Sequence, residues 1–290
     1  MSEFKMTVFN VERGLCIFVR SPNGYGVLID CGKGEKFSPV KWIVENVKSD
    51  LTQHNGYSLA WLIVTHPHDD HVEDIDYLKS YLPPAILCRQ KSYDWDSILL
   101  PESGEASENM QTYYDWQQTY NVAVTEYPDL GMETQRFALT PTQAERIDEN
   151  TQHLLNNSSY VTVFAYKGWK LVVSGDNETL GWEKLLEDAD FRAAIAGADF
   201  FVTSHHGHKS GFCPELFDVM GKPWINITSE KSGDESVSPS YSSDQYARGV
   251  TLSGTKRYHL TTRKDGNIIV QITAEGKAYV DTRSYPDNLS

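Results

Sequence analysis

Long apolar runs are missing from this chain. No stretch approaches the roughly 20 consecutive apolar residues that span a bilayer, and the opening MSEFKMTVFN has no apolar segment of the secretory kind. Both absences argue against a membrane and for a cytoplasmic protein. Cysteine is scarce: Cys16, Cys31, Cys88 and Cys213 are scattered and form no C-x-x-C pair. That disfavours a disulfide framework and a thiolate zinc site alike. Positive charge is also short. With 26 Lys and Arg against 40 Asp and Glu, the formal net charge is −14, which speaks against a broad nucleic-acid-binding surface. There is no internal repeat of fixed period.

At 290 residues and 40% hydrophobic content the chain can bury a substantial core, as one large domain or two small ones. Its charge is uneven. Residues 91–150 carry 12 acidic residues against 3 basic ones, whereas residues 241–270 carry Arg248, Lys256, Arg257, Arg263 and Lys264 against Asp244 and Asp265. The second segment is a local basic patch or a mixed, solvated face.

The densest chemistry lies in WLIVTHPHDDH, Trp61 to His71. Trp61 to Val64 reads as a buried strand. His66, His68, Asp70 and His71 follow, four candidate metal ligands within six residues. In an extended loop, residues two apart point the same way, so His66 and His68 can share one metal. Asp70 and His71 diverge and can reach a second. Imidazole and carboxylate together suit Zn²⁺ or Mn²⁺.

Residues 4–10 and 14–20 read as strands joined at Glu12-Arg13-Gly14, and Gly26 to Asp30 as a third. A helix is expected from Ser38-Pro39 to Lys48, with Trp42, Ile43 and Val47 on its apolar face. Another is expected from Asp74 to Leu82, stopped by Pro83-Pro84. Ala85 to Cys88 reads as a short strand. Residues 91–157 form an acidic, aromatic insertion, read either as a lid over the site or as an added layer packed on the core. Residues 160–174 read as a hairpin turning at Lys167-Gly168 and ending at Ser174-Gly175-Asp176. A helix with Leu180, Leu185 and Leu186 on one side then leads to a strand, Ala198 to Thr203. That strand runs into a second histidine cluster, His205-His206-Gly207-His208-Lys209. Pro223 to Thr228 reads as a strand, 242–248 as helical, and the tail as short strands broken at Asp265-Gly266 and Glu275-Gly276.

Six of the nine histidines therefore follow predicted strands in two clusters. Such ligands converge when the strands share a sheet. Asp176 also follows a strand, and a carboxylate there can bridge two metals. Two cations roughly 3.5–4 Å apart clamp a phosphoryl group and lower the pKa of a bound water to about 7, supplying hydroxide without a general base.

HPHDDH resembles the signature of the metallo-β-lactamase fold, an α/β four-layer αββα sandwich. The order of motifs is similar to the metallo-β-lactamase domain of the ComEC/Rec2 competence family. Val11-Glu12-Arg13-Gly14, Leu28-Ile29-Asp30-Cys31-Gly32, His66 to His71, Asn157-Ser158-Ser159, Gly175-Asp176, His205 to Lys209 and Arg263-Lys264-Asp265-Gly266 carry that likeness. It implies a single domain over 1–290 holding two divalent ions: His66 and His68 on one, Asp70, His71 and His205 on the other, Asp176 between them. It implies that Asp30 orients the loop from behind the ligands. Asn157 and Ser158 are then candidates for contact with metal or substrate, and His153 is a weaker one. His206, His208 and Lys209 are candidates to steady the phosphoryl charge or to protonate the leaving group. The chain departs from the family pattern at Glu12-Arg13, at Leu15-Cys16, at His208 and at Tyr241-Ser242-Ser243.

The expected activity is metal-dependent hydrolysis of phosphodiesters, as a nuclease or nucleotide phosphodiesterase, with the net charge favouring a nucleotide or short nucleic acid. The fold also serves hydrolases of esters, lactones, thioesters and β-lactams. A third class is a metal-stabilised binding or regulatory module that docks a protein partner through residues 91–157.

Overall fold

The computed structural model describes residues 3–99, 107–148, 150–230 and 237–283. Residues 100–106 and 149 of the insertion lie outside them. Fifteen strands are described: β1 (Phe4–Val8), β2 (Ile17–Arg20), β3 (Gly26–Ile29), β4 (Leu59–Ile63), β5 (Pro84–Cys88), β6 (Glu133–Phe137), β7 (Val161–Tyr166), β8 (Trp169–Val173), β9 (Phe200–Val202), β10 (Ile225–Thr228), β11 (Val250–Leu252), β12 (Thr255–Arg257), β13 (His259–Thr261), β14 (Asn267–Ile272) and β15 (Ala278–Arg283). The helices are α1 (Pro39–Asn46), α2 (Asp69–Val72), α3 (Ile75–Tyr81), α4 (Trp95–Ile98), α5 (Glu108–Gln117), α6 (Pro141–Ile147), α7 (Thr151–Asn157), α8 (Thr179–Leu185), α9 (Ala189–Ile195), α10 (Pro214–Met220) and α11 (Thr262–Asp265). Among the described residues no helix is long and apolar enough to cross a membrane.

One sheet has the order β15-β14-β1-β2-β3-β4-β5 and the other β13-β10-β9-β8-β7-β6. Three apolar layers show how they stack. Between the sheets, Met6, Ile17, Val27 and Ile63 meet Phe164, Leu171, Phe200 and Ile227. Outside the first sheet, Phe18, Leu28 and Leu62 meet Val40, Ile43, Ile75 and Leu78 of α1 and α3. Outside the second, Val163, Val172 and Phe201 meet Trp182, Phe191 and Phe217 of α8, α9 and α10. This is the αββα sandwich expected. β3 and β4 are buried along their whole length and run parallel, so they read as unbroken apolar runs rather than alternating ones. Ser38 caps α1 by accepting from the Lys41 amide at 2.9 Å.

Several local expectations are corrected. On α8 the buried positions are Gly181, Trp182 and Leu185, while Leu180 is exposed. The apolar face expected of α1 is present, with Ile43 buried and Trp42 and Val47 packed on the same core, but Val40 is buried there as well. Residues 242–248 are not helical: a short 3₁₀ turn, Pro239–Ser242, is followed by irregular backbone. The insertion supplies α4 to α7 and the edge strand β6, and Tyr93, Trp95, Tyr113 and Trp116 are buried against the first sheet's outer layer. Those rings pack on the core and are not available to stack a substrate.

Candidate metal centre

β3 and β4 are parallel neighbours in the first sheet, and β8 and β9 in the second. Both pairs deliver chemistry at their C-terminal ends: Asp30 after β3, Thr65 to His71 after β4, Gly175-Asp176 after β8, His205-His206 after β9. Glycine makes the approach close enough. A Cβ on Gly14 would lie 1.9 Å from the Asp70 carbonyl oxygen, and one on Gly175 2.7 Å from the Cβ atoms of both Thr65 and Ser159. Gly14 also has φ +91°, a conformation that side chains rarely adopt.

Two groups of side chains converge, each with its ligand atoms within 4.8 Å of one another: His66, His71 and Asp176, and Asp70, His71 and His206. His71 Nε2 lies 3.4 Å from Asp176 Oδ2 and 3.3 Å from His206 Nε2. His206 Nε2 lies 3.3 Å from Asp176 Oδ2 and 3.7 Å from Asp70 Oδ2. His66 Nε2 is 2.8 Å from His68 Nδ1 and 3.9 Å from Asp176 Oδ2. His66, Asp70, His71 and Asp176 thus stand in the two groups, whereas His68 touches His66 and joins neither.

The third histidine of these groups is His206. His205, expected to complete the second metal, lies outside both groups, with Nδ1 3.0 Å from Ser210 Oγ and 3.3 Å from Glu178 Oε1. The backbone is the reason. His205 and His206 have φ of 51° and 52°, and Gly207 follows at 75°. Two non-glycine residues in the left-handed region are strained, and this turn aims His206 inward while His205 is drawn to Glu178.

Hydrogen bonds behind the ligands set their tautomers. Asp30 is fully buried, accepts from the Thr65 amide at 2.7 Å and the Thr65 hydroxyl at 2.6 Å, and holds His71 Nδ1 at 2.7 Å. The Nδ1 proton of His71 therefore points at Asp30, and Nε2 is the nitrogen turned to the site, where it would ligate a cation. Thr65 gives its only hydroxyl proton to Asp30, so towards His66 Nδ1, 3.2 Å away, it acts as an acceptor. That leaves His66 Nε2 with a lone pair turned inward. Ser159 Oγ accepts from the Asp176 amide at 3.1 Å and touches His66 Nδ1 at 3.1 Å. Thr65 and Ser159 went unrecognised in the sequence; a hydroxyl next to the H-x-H run and one just before β7 were the signals present.

Electrostatics agree for His66, whereas His71 differs. Burial would lower His71, but Asp176 and Asp30 outweigh burial and hold it well above the ordinary histidine range, so a cation would displace its Nε2 proton. Burial, reinforced by His71 and His68, holds His66 well below the ordinary histidine range. Burial would raise Asp176, but His206 and His71 outweigh it and keep the carboxylate ionised far below its usual range. Burial raises the Asp30 carboxyl, against the pull of His71 and Thr65. A neutral imidazole, an ionised carboxylate and ring nitrogens fixed inward are what a divalent cation requires. The donor set is nitrogen and oxygen without sulfur, which suits Zn²⁺ or Mn²⁺. The residues present fit the metals that the sequence implies.

The remaining candidates lie elsewhere. Asn157 is buried, and its Oδ1 accepts from the Glu178 amide at 2.9 Å at the start of α8. Ser158 is buried, with its Oγ 2.8 Å from Tyr93 Oη of the insertion. Both expectations of substrate contact are corrected, because these side chains are buried, Asn157 against the start of α8 and Ser158 against Tyr93. His208 Nδ1 accepts from the Ser210 amide at 3.1 Å, and Lys209 is exposed; neither joins a ligand group. His153 Nδ1 pairs with Asp148.

A model of the metallo-β-lactamase superfamily matches residues 10–211. The chain belongs to the metallo-β-lactamase superfamily. Solved members of this fold are distant from it. YhfI from Bacillus subtilis is 11% identical, with 95% of this chain and 99% of that chain covered and a TM-score of 0.45. An isothiocyanate hydrolase from Delia radicum gut bacteria is 11% identical at the same coverage, 95% and 99%, with a TM-score of 0.48. Igni18, a metallo hydrolase from Ignicoccus hospitalis KIN4/I, is 13% identical, with 97% and 100% covered and a TM-score of 0.46. Comparison with curated protein sequences returns no match. Superfamily members are generally metal-dependent hydrolases, and the residues gathered here suit that chemistry.

Proposed function

We propose that this chain is a dimetal phosphodiesterase acting on a nucleotide or a short nucleic acid. The observation that carries the reading is the pair of adjoining ligand groups that share His71. His66 and Asp176, with His68 beside His66, would hold one cation, and Asp70 and His206 the other, with His71 and Asp176 between them. Two divalent ions at the roughly 3.5–4 Å spacing of phosphoryl-transfer sites acidify water and clamp a phosphoryl group from both sides.

The chain's own residues prepare that chemistry. Asp30 and Thr65 hold His71 and His66 in the tautomers that face the site. Asp176 is buried with its carboxylate ionised, so it arrives ready to ligate. His205, held by Glu178 and Ser210, adds an oriented imidazole beside the ligand groups. The motif order shared with the ComEC/Rec2 domain supports a phosphodiester substrate, and the net charge of −14 supports a small one over long duplex DNA.

The test joins metal analysis of the purified protein to hydrolysis of bis-p-nitrophenyl phosphate with Mn²⁺ or Zn²⁺. About two metals per chain, with cleavage abolished in Asp70→Ala and His68→Ala variants that still fold, is the expected result. Two metals with turnover of p-nitrophenyl acetate or nitrocefin alone would replace this reading with an ester-type or lactam hydrolase. No metal and no turnover on any of these substrates would replace it with a binding module.

A further inference from the structure

Among the described residues the Arg13 side chain bonds nothing in the core and is held instead at the site. Arg13 stands on the crest of the β1–β2 connection, between Glu12 at φ 63° and Gly14 at φ 91°. That crest is fixed from two sides. Gly14 is pressed onto the Asp70 carbonyl, and the Gly14 carbonyl accepts from the buried Ser229 hydroxyl at 2.7 Å, which reaches across from the end of β10. The backbone of Arg13 is therefore positioned while its side chain is 69% exposed.

The guanidinium meets the protein, among the described residues, through Nε, 3.3 Å from Asp70 Oδ2. The same carboxylate oxygen faces His206 Nε2 at 3.7 Å. An ion pair this exposed contributes little to stability. Its consequence is for binding. A cation on Asp70 and the Arg13 guanidinium would be like charges a few ångströms apart, which repel. An anion placed beside both relieves the repulsion. The planar fork of the guanidinium is suited to two oxygens of one phosphate.

We propose that Arg13 receives the anionic group of the substrate and thereby makes anion binding and cation binding at Asp70 support each other. The proposal rests on the dimetal phosphodiesterase reading and adds a charge requirement to it: substrates negative next to the scissile bond are selected over neutral esters. Linkage makes the coupling reciprocal, so each ligand tightens the other by the same factor.

The experiment uses the full chain and its Arg13→Gln and Arg13→Lys variants. Mn²⁺ is titrated calorimetrically into metal-stripped protein with and without dimethyl phosphate, a diester monoanion. Kinetics are measured on bis-p-nitrophenyl phosphate and on p-nitrophenyl acetate. In the wild type, dimethyl phosphate is expected to tighten Mn²⁺ binding. In Arg13→Gln, Mn²⁺ should bind more tightly than in wild type when no anion is present, and the effect of dimethyl phosphate should be largely lost. KM for the diester should rise about ten- to a hundredfold, the size of a lost charge-assisted hydrogen bond, with kcat little changed. Arg13→Lys should fall between the two, and any turnover of the neutral ester should be unaffected.

An equal effect of dimethyl phosphate in wild type and Arg13→Gln would overturn the proposal. So would a loss confined to kcat, which would mean that Arg13 serves only to place Asp70. Wild-type protein that binds no Mn²⁺ would remove the dimetal reading and this proposal with it. Mn²⁺ binding that dimethyl phosphate does not change removes the role of Arg13 alone.

Discussion

Replacing Asp30 by asparagine removes one charge from the base of the site and almost no volume. The carboxylate receives three hydrogen bonds, from the Thr65 amide at 2.7 Å, the Thr65 hydroxyl at 2.6 Å and His71 Nδ1 at 2.7 Å. The amide oxygen can keep the first. The amide nitrogen then meets the Thr65 hydroxyl and His71 Nδ1 with protons of its own. His71 is driven to the other tautomer, with its proton on Nε2 and no lone pair towards Asp176. Hydrogen bonds to charged groups are worth about 1.5–3 kcal/mol each, and the isosteric amide recovers part of the loss. The metal-stripped fold should therefore lose about 2–4 kcal/mol, read by urea denaturation. Mn²⁺ affinity should fall by about ten- to a hundredfold, the usual effect of removing the partner behind a histidine ligand. Calorimetric titration of Mn²⁺ into both proteins decides the matter. An Asp30→Asn protein that folds and binds Mn²⁺ as tightly as the wild type would refute the tautomer argument.

Burial pushes His259 down to about 4 from 6.5. Below about pH 6.5 the unfolded chain takes up a proton that the folded chain refuses. Stability carried by the neutral ring is therefore complete above that pH and falls by on the order of 3 kcal/mol as pH drops to about 4. His259→Gln should flatten that part of the profile in urea denaturation measured from pH 7 to 4; an unchanged slope would count against the neutral ring. Gly175→Ala places a methyl group 2.7 Å from two Cβ atoms that cannot swing aside, so a loss of about 1–3 kcal/mol with reduced Mn²⁺ stoichiometry is expected from melting and metal analysis. Asp69 Oδ1 accepts from Ser107 Oγ at 2.6 Å and Asn109 Nδ2 at 2.9 Å, tying α5 to the ligand loop. Asp69→Ala should speed amide exchange in α5, by roughly ten- to a hundredfold for 1.5–3 kcal/mol, while Mn²⁺ binding is retained.

Much of the fold and site was legible because it rests on strand ends. β3, β4, β8 and β9 are short apolar runs, and each is followed at once by the residues that matter: Asp30, His66 to His71, Asp176 and the paired histidines. What escaped turned on one-residue choices made by backbone conformation. Two adjacent histidines look alike in a sequence, and only the left-handed turn ending at Gly207 distinguishes His206 from His205. Asn157, Ser158 and Ser159 are likewise neighbours. Packing against α8 takes the first, the Tyr93 hydroxyl takes the second, and the third is left for His66. β6 was hidden because its residues, ETQRF, sit on an exposed sheet edge and lack an apolar face. The helix expected at 242–248 had no such excuse in composition; tertiary bonds win there, with Asn226 Nδ2 holding the Tyr241 carbonyl at 2.9 Å.

The pairing of β1 with β14 has a consequence for how the chain reaches this state. β1 bonds on one side to β2, close in sequence, and on the other to β14, more than 250 residues later, with Phe4 opposite Ile272 and Val8 opposite Ile268. Every residue of the ligand groups is synthesised before β14 exists. During synthesis the apolar edge of β1 is therefore bare while the site is already being made. Until the last strands emerge, the nascent chain carries an open sheet edge of the kind that captures other strands. Closure by so distant a contact is slow. The seam of β1 with β14 and β15 thus closes after the residues of the site are made, and the yield of soluble protein should respond to changes there more than to changes at the histidines.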